Sequence, residues 1–130
     1  MIRKLVKKVY FKQEVIDSLL TYSRNIHPRE GILLLRGKVD KDKIIVTDLV
    51  IPPLALHGEG FSSFPLNMIP IDFSILGVAH SHPSGFLKPS LEDLSHSYGK
   101  MMVILIYPYS SREDVGVFDK DGNRVIYTII

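Results

Sequence analysis

Residues 75–93 read ILGVAHSHPSGFLKPSLED, and this stretch decides the fold. Its apolar run of small and β-branched residues predicts a buried strand that ends at His82. Ser90 is a favourable helix N-cap, and acidic residues follow it in the first turn, where the helix dipole stabilises them. We therefore predict a strand, a loop over 83–89 and a helix that runs from Ser90 to about Tyr98.

Two histidines and one aspartate of this stretch form a candidate metal site. Residues i and i+2 of a strand point to the same face, so His80 and His82 project together at the strand end. The loop is long enough to fold the helix start back, which brings Asp93 near both imidazoles. Taken singly, these residues have ordinary structural roles, but together they indicate three metal ligands with a fourth position for water, as in hydrolytic zinc sites.

The remainder of the chain predicts a mixed sheet with one further helix. Residues 12–26 carry an amphipathic stripe, which His27 and Pro28 end. Further strands are expected at 6–11, 32–37, 43–51, 101–107, 115–118 and 124–129. Turn residues predict a hairpin between the second and third of these, and an Asp-Gly pair at 121–122 marks the last turn. Strands mixed with two helices indicate an α/β domain.

The segment 52–70 differs from the rest, because it is rich in proline and glycine and has no clear period. Structureless segments of about twenty residues are uncommon in compact domains and are usually functional or disordered. The apolar Phe61, Phe64 and Met68 argue against disorder. We predict a binding loop in which these side chains either contact a substrate or pack on the domain.

The composition excludes several kinds of site. The chain of 130 residues has no cysteine, which rules out disulfides, cysteine-bound zinc, iron–sulfur clusters and a cysteine nucleophile. A net charge of +2 gives no reason to expect a nucleic-acid or membrane partner. The early basic residues Arg3, Lys4, Lys7, Lys8 and Lys12 form either a solvated face or a binding patch. Without a signal peptide or a membrane-spanning run, a cytoplasmic protein is the expectation.

The spacing of the candidate ligands resembles a known family motif. His80-Ser81-His82-Pro83, six residues, Ser90, two residues and Asp93 match the JAMM motif of MPN+ metallopeptidases, H-S/T-H-P-x6-S-x2-D, at every defined position. Glu30, which precedes the short apolar run 32–35, is similar to the upstream glutamate of that family. Since no further domain fits in the chain, the resemblance is to the compact prokaryotic or archaeal type.

The resemblance implies a fold and a set of roles. The fold would be a single JAMM/MPN-type (cytidine-deaminase-like) α/β domain over 1–130, a mixed β-sheet flanked by helices. His80, His82 and Asp93 would bind one Zn²⁺ per chain. Glu30 would be the general base and Ser90 would hydrogen-bond the oxyanion of the tetrahedral intermediate. Ser81 is expected to face the opposite side of the strand and to support it.

The function implied by the resemblance is cleavage by zinc-activated water at the C-terminal tail of a ubiquitin-like β-grasp protein. The partner would be a small modifier, a sulfur carrier or one of their conjugates, with the segment 52–70 as one wall of the site. A peptidase that trims sulfur carriers and a non-catalytic MPN scaffold are the alternatives. An amidohydrolase barrel needs about 250 residues, and the H-x-H-x-D-H pattern of metallo-β-lactamases is absent.

Some features are left open by the sequence. His96 either supports the site from the second helix or lies on its surface. His27 and His57 are expected at a helix end and in a loop, and Glu92 is expected in solvent. The oligomeric state and the preference between isopeptide and linear peptide bonds are not indicated.

Overall fold

The computed structural model describes residues 8–52, 56–58, 61–63, 74–95 and 98–130. Within these ranges there are nine strands, a long α-helix, a short α-helix and a 3-10 helix. The elements are β1 (Lys8–Phe11), α1 (Gln13–Ile26), β2 (Ile32–Asp40), β3 (Lys43–Val50), β4 (Leu56–Gly58), β5 (Phe61–Ser63), β6 (Ile75–His82), α2 (Leu91–Ser95), β7 (Met101–Ile106), a 3-10 helix (Arg112–Asp114), β8 (Val115–Asp119) and β9 (Tyr127–Ile129).

Seven of the strands form one mixed sheet in the order β8-β7-β6-β2-β3-β1-β9. β2 pairs antiparallel with β3 and β6, whereas β6 and β7 run parallel. The predicted hairpin of the second and third strands is therefore confirmed. The mixed sheet with few helices also confirms the predicted α/β class. β6, the strand that ends in His80 and His82, lies inside the sheet between β2 and β7.

The last part of the chain differs from the prediction. The turn after β8 forms as expected, with the Gly122 N–H donating to the Asp119 carbonyl at 3.0 Å. The predicted strand 124–129 is too long, because only Tyr127–Ile129 is a strand, and it pairs with β1 instead of β8. Side-chain packing explains why β9 pairs with β1. The Tyr127 ring of β9 contacts the buried Phe11 ring of β1 edge-on, with the ring centroids 5.4 Å apart.

The helix α1 confirms the amphipathic pattern of the sequence. Its buried side chains, Val15, Ile16, Leu19 and Leu20, recur on one stripe and join a cluster with side chains of the sheet. Lys12 is its N-cap and His27 its C-cap, so it ends at the predicted place. The large apolar stripe explains why this helix is stable although no side chain caps its start.

The central strands bury both faces, and the two faces have different neighbours. Leu33 and Leu35 of β2 pack in the cluster with α1, whereas Ile32 and Leu34 pack in a second cluster with Val78 of β6. The alternation of strand side chains produces this division. Because Val78, His80 and His82 are two residues apart, the histidines lie on the face turned away from α1.

β6 has a bulge beside Gly77, and Gly77 also lies unusually close to the backbone of β7. The register with β2 shifts there, since Leu35 pairs with Gly77 and Arg36 pairs with Ile75. A Cβ atom on Gly77 would lie 1.9 Å from the Met101 carbonyl oxygen of β7. The strand that carries the histidines therefore requires glycine at this position.

The segment predicted as a structureless loop contains a small hairpin. β4 and β5 pair antiparallel, with Leu56 opposite Ser63. The prediction was wrong on this point because two strands of three residues are too short to show a period. Phe64 and Met68 lie outside the described residues, so their suggested roles stay predictions.

Three smaller predictions have mixed outcomes. α2 is described over Leu91–Ser95 and the helix stops before Tyr98; residues 96 and 97, and with them His96, lie outside the described residues. Lys8 and Lys12 are exposed, whereas Arg3, Lys4 and Lys7 lie outside the described residues. Across the part of the chain that is described, no helix has the length and apolarity needed to cross a bilayer.

We expect Gly77→Ala to lower the free energy of unfolding by about 2–3 kcal/mol, because the added methyl group meets fixed backbone atoms. Urea denaturation measures the change. Gly116→Ala is the matched control, since its Cβ would meet only the side chains of Phe118 and Leu87, at 2.9 and 3.0 Å, and these can move. Equal losses in both variants would contradict the interpretation.

Candidate metal centre

His80 and His82 lie side by side at the carboxyl end of β6, as the sequence predicts. Both are buried, with 5% and 9% of their surface exposed. Imidazoles are seldom buried in an apolar sheet unless their nitrogens have a partner, so this position favours a polar role over simple packing. Ser81 between them is also buried and faces the side of α1, where its hydroxyl oxygen lies against Gly31. Its predicted orientation is therefore what the structure shows.

The ring of His82 is oriented by the loop that follows it. Its Nδ1 lies 3.0 Å from the carbonyl oxygen of Phe86, which accepts the Nδ1 proton. Nε2 then faces Asp93, 3.0 Å from Oδ2. Histidines that bind metals typically donate their other ring N–H to a carbonyl in this way, which fixes the tautomer and the ring plane.

Asp93 is fixed by the start of α2. The Ser90 N–H donates to Asp93 Oδ2 at 2.9 Å, and the Asp93 N–H donates to Ser90 Oγ at 3.0 Å. This reciprocal pair has the form of a capping box and confirms Ser90 as the N-cap. The same carboxylate that stabilises the helix start thus points at the two histidines.

The fourth side chain of the predicted site, Glu30, reaches it from the segment just before β2. Ile32 pairs with His80 and the Ser81 N–H donates to the Gly31 carbonyl at 3.1 Å, so the ladder continues to place Glu30 opposite His82. Opposed residues of an antiparallel pair share a face. Glu30, His82 and Asp93 each offer a ligand atom within 4.8 Å of the other two.

The structure brings Glu30, His82 and Asp93 together as the group whose ligand atoms all lie within 4.8 Å of one another; the predicted ligand His80 is not in that group and is placed beside it by its contact with Asp93. His80 Nδ1 lies 3.8 Å from Asp93 Oδ1, and His82 Nε2 lies 3.0 Å from Asp93 Oδ2. Tetrahedral zinc with bonds of about 2.0 Å holds its ligand atoms about 3.3 Å apart. Two imidazoles and one carboxylate are also the donor types of catalytic zinc sites, so the residues present fit the ion.

The site's electrostatics favour an ionised Asp93. Burial raises its pKa, but the hydrogen bond with His82, the nearby His80 and the Ser90 N–H together lower the pKa to about 2. Burial lowers the pKa of His82, yet its hydrogen bonds with Asp93 and Phe86 and the charge of Glu30 raise it above the ordinary value. The metal-free site therefore holds a carboxylate beside a histidine that readily keeps a proton.

Glu30 has the opposite tendency. Burial raises its pKa, His82 lowers it, and the neighbouring Asp93 and Glu92 raise it, so that the pKa lies above the ordinary value of 4.5. A carboxyl group with a raised pKa is a better proton acceptor near neutral pH. The geometry thus separates Asp93, which stays charged, from Glu30, which is suited to proton transfer.

The other polar residues singled out in the sequence lie around this centre. Ser90 is exposed at its edge, and Glu92 is exposed as predicted. His27 is at the end of α1, where its ring stacks on Tyr107 at 4.3 Å. His57 belongs to β4 and not to a loop, which corrects the prediction.

Two participants were not found in the sequence. The Phe86 carbonyl orients His82, and a backbone oxygen leaves no mark on residue type. Tyr109 is fully buried, and burial together with the charge of Glu30 raises the pKa of its hydroxyl above the ordinary value. The only sequence signal for Tyr109 is its position directly after Pro108.

Two histidines, an aspartate from the capping box of α2 and a glutamate meet at one end of the sheet. This combination defines a metallohydrolase type of site. The family model of prokaryotic homologues of the JAB domain matches residues 12–120. The chain is 34% identical over 116 residues to a protein of Haloferax volcanii described as a probable metalloprotease, covering 84% of this chain and 71% of that protein. The chain therefore belongs to the prokaryotic JAB branch of the JAMM/MPN family.

Solved structures agree with this assignment. A JAB1/MPN domain protein from Archaeoglobus fulgidus superposes with a TM-score of 0.68 at 27% identity, covering 95% of this chain and 98% of that one. A second structure, described as JAMM, a metalloprotease-like zinc site in the proteasome and signalosome, superposes with a TM-score of 0.66 at 26% identity. The match covers 97% of this chain and 99% of that one. The fold is thus the JAMM/MPN fold, and its candidate metal site is of the metalloprotease type.

We expect the purified protein to bind one Zn²⁺ per chain and Asp93→Ala to bind it at least about tenfold more weakly. Elemental analysis and competition with a chelating dye measure stoichiometry and affinity. Asp114→Ala is the matched control, because Asp114 also accepts backbone hydrogen bonds at a helix start, those of Ser110 and Ser111, but lies outside the site. Equal zinc affinity in the wild type and in Asp93→Ala would refute the ligand role.

Zinc affinity should rise with pH above about 6.5. Because the pKa of His82 lies above its ordinary value of 6.5, zinc must displace a proton from it at pH 6.5, whereas Asp93, with a pKa of about 2, is already ionised. Calorimetric titrations in buffers of different ionisation enthalpy count the released protons. We expect more protons released at pH 6.5 than at pH 9, and a pH-independent count would contradict the protonated state of His82.

Proposed function

We propose that the protein is a zinc-dependent peptidase or isopeptidase that cleaves at the C-terminal tail of a ubiquitin-like β-grasp protein. The observation that carries the proposal is the juxtaposition of Glu30 with His82 and Asp93, each within 4.8 Å of the others. A scaffold has no need of a proton acceptor beside a set of metal ligands, so this arrangement favours the enzyme over the non-catalytic alternative.

In the proposed reaction each side chain has one task. His80, His82 and Asp93 hold the ion, which when bound supplies Lewis-acid activation of water. Glu30 accepts a proton from the attacking water and later delivers it to the nitrogen of the leaving amine. Its raised pKa makes the carboxylate a better proton acceptor than an ordinary glutamate.

Ser90 is suited to stabilise the oxyanion. Its Oγ accepts the Asp93 N–H, and a hydroxyl that accepts one bond still has its own proton to donate. The residue is exposed at the edge of the centre, so a substrate oxygen can reach it. Losing one such donor typically reduces turnover about a hundredfold or more.

The substrate class rests on the JAMM resemblance, and two structural features support it. Phe86 and Leu91 flank the site from the loop and from α2 with 66% and 88% of their surface exposed, which offers apolar contacts to an extended tail. Within the described residues, β4 and β5 pair only with each other, and the edge of such a hairpin can receive an extended peptide as an added strand.

We expect Glu30→Gln to keep one zinc per chain and to reduce turnover by about a hundredfold to ten-thousandfold, because the amide accepts no proton. Zinc analysis and cleavage assays on the same preparation test this. Glu14→Gln is the control, since Glu14 is an exposed acid in the first turn of α1. Near-normal turnover in Glu30→Gln would disprove the proton-transfer role.

The substrate is tested with one β-grasp modifier presented in three forms. These are the mature protein, the protein with a short C-terminal extension and the protein joined by an isopeptide bond to a lysine. Cleavage of the conjugate favours deconjugation, and cleavage of the extension alone favours trimming. The same three forms are then made from a sulfur carrier. If the zinc-loaded protein cleaves no form of the modifier and no form of the sulfur carrier, the substrate proposal is wrong.

A further inference from the structure

We propose that Ser81 is a positioning residue, whose hydroxyl fixes the backbone next to Glu30 and thereby holds the carboxylate at the metal centre. The inference rests on the proposed function of Glu30. It concerns the face of β6 opposite to His80 and His82, where no metal ligand lies. Its basis is a hydrogen bond between two strands in which a side chain replaces a backbone acceptor.

The ladder between β2 and β6 changes at this point. The Ser81 N–H donates to the Gly31 carbonyl at 3.1 Å. In a regular antiparallel pair of this kind, the partner N–H would return a bond to the opposite carbonyl. Here the Gly31 N–H donates instead to Ser81 Oγ at 2.7 Å. The serine hydroxyl thus closes the ladder one residue before Glu30.

This bond is buried and tightly surrounded. Ser81 is 2% exposed. A Cβ on Gly31 would lie 2.1 Å from Ile26 Cδ1, 2.7 Å from Tyr22 Cε1 and 3.2 Å from Ser81 Oγ. The end of α1 therefore presses Gly31 against the serine, and only glycine allows that approach. The backbone that leads into Glu30 has little room to shift while the bond is intact.

Removal of the hydroxyl would release that backbone. Without Ser81 Oγ, the Gly31 N–H loses the 2.7 Å bond that ties this backbone to β6. Glu30 directly precedes Gly31, so a shift there displaces its carboxylate from His82 and Asp93. The ligands His80 and His82 stay fixed by β7, with which they pair opposite Ile104 and Ile106. The expected defect is therefore one of turnover and not of metal binding.

The test uses Ser81→Ala, with Ser81→Thr as the variant that restores the hydroxyl. Ser23→Ala is the matched control, because Ser23 is equally buried and its Oγ donates one bond, at 2.8 Å, to the Leu19 carbonyl within α1. For each variant the zinc affinity, kcat and KM are measured. Two NMR signals are also followed: the exchange of the Gly31 amide and the shift of the Glu30 carboxyl carbon on zinc addition.

We expect Ser81→Ala to lower kcat about 10- to 100-fold with KM and zinc affinity nearly unchanged. Its Gly31 amide should exchange about tenfold faster, and its Glu30 carboxyl shift on zinc addition should shrink. Ser81→Thr should restore all three quantities, and Ser23→Ala should change none of them. Normal kcat in Ser81→Ala, or an equal loss in Ser23→Ala, would overturn the proposal.

The NMR signals separate this proposal from the proposed function. If the wild type cleaves no ubiquitin-like substrate, the enzymatic proposal fails, while the Gly31 and Glu30 signals still decide the positioning role. An unchanged Gly31 exchange rate and an unchanged Glu30 shift in Ser81→Ala would refute that role whatever the activity.

Discussion

The register between β2 and β6 is the constraint on which the rest of the structure depends. The pairing of Ile32 with His80 places Glu30 opposite His82 and leaves Leu33 and Leu35 against α1. A slip by one residue would turn every side chain of β2 to the other face. The core would then lose its leucines and the site its glutamate at the same time. Packing energy thus enforces the geometry of the metal centre.

The second constraint is the double use of Asp93. Its Oδ2 accepts the Ser90 N–H at 2.9 Å and lies 3.0 Å from His82 Nε2. The carboxylate is therefore oriented by the helix start before any metal arrives, which is the preorganisation that a metal site requires. His82 would hold a cation only after losing the proton that it shares with Asp93, so the proton and the cation compete for the same imidazole nitrogen.

The parts of the site that follow from local rules could be predicted from the sequence. Strand alternation placed His80 and His82 together, and N-capping placed Ser90 and Asp93 at one helix start. The parts that depend on backbone contacts between distant residues could not. The Phe86 carbonyl, the bond from Gly31 to Ser81 and the pairing of β9 with β1 arise from the assembled sheet. Residue type carries no record of which backbone atom will lie opposite.

The alternation of β6 separates chemistry from support along a single strand. One face carries His80 and His82, and the other carries Ser81, packed between Gly31 and the end of α1. The loop after β6 also contributes, since the Phe86 carbonyl accepts the Nδ1 proton of His82 and so orients its ring. Backbone atoms thus orient two side chains of the site, His82 through the Phe86 carbonyl and Asp93 through the Ser90 N–H. The candidate metal site needs no additional layer of structure, because β2 and β6, which build the core, also position its side chains.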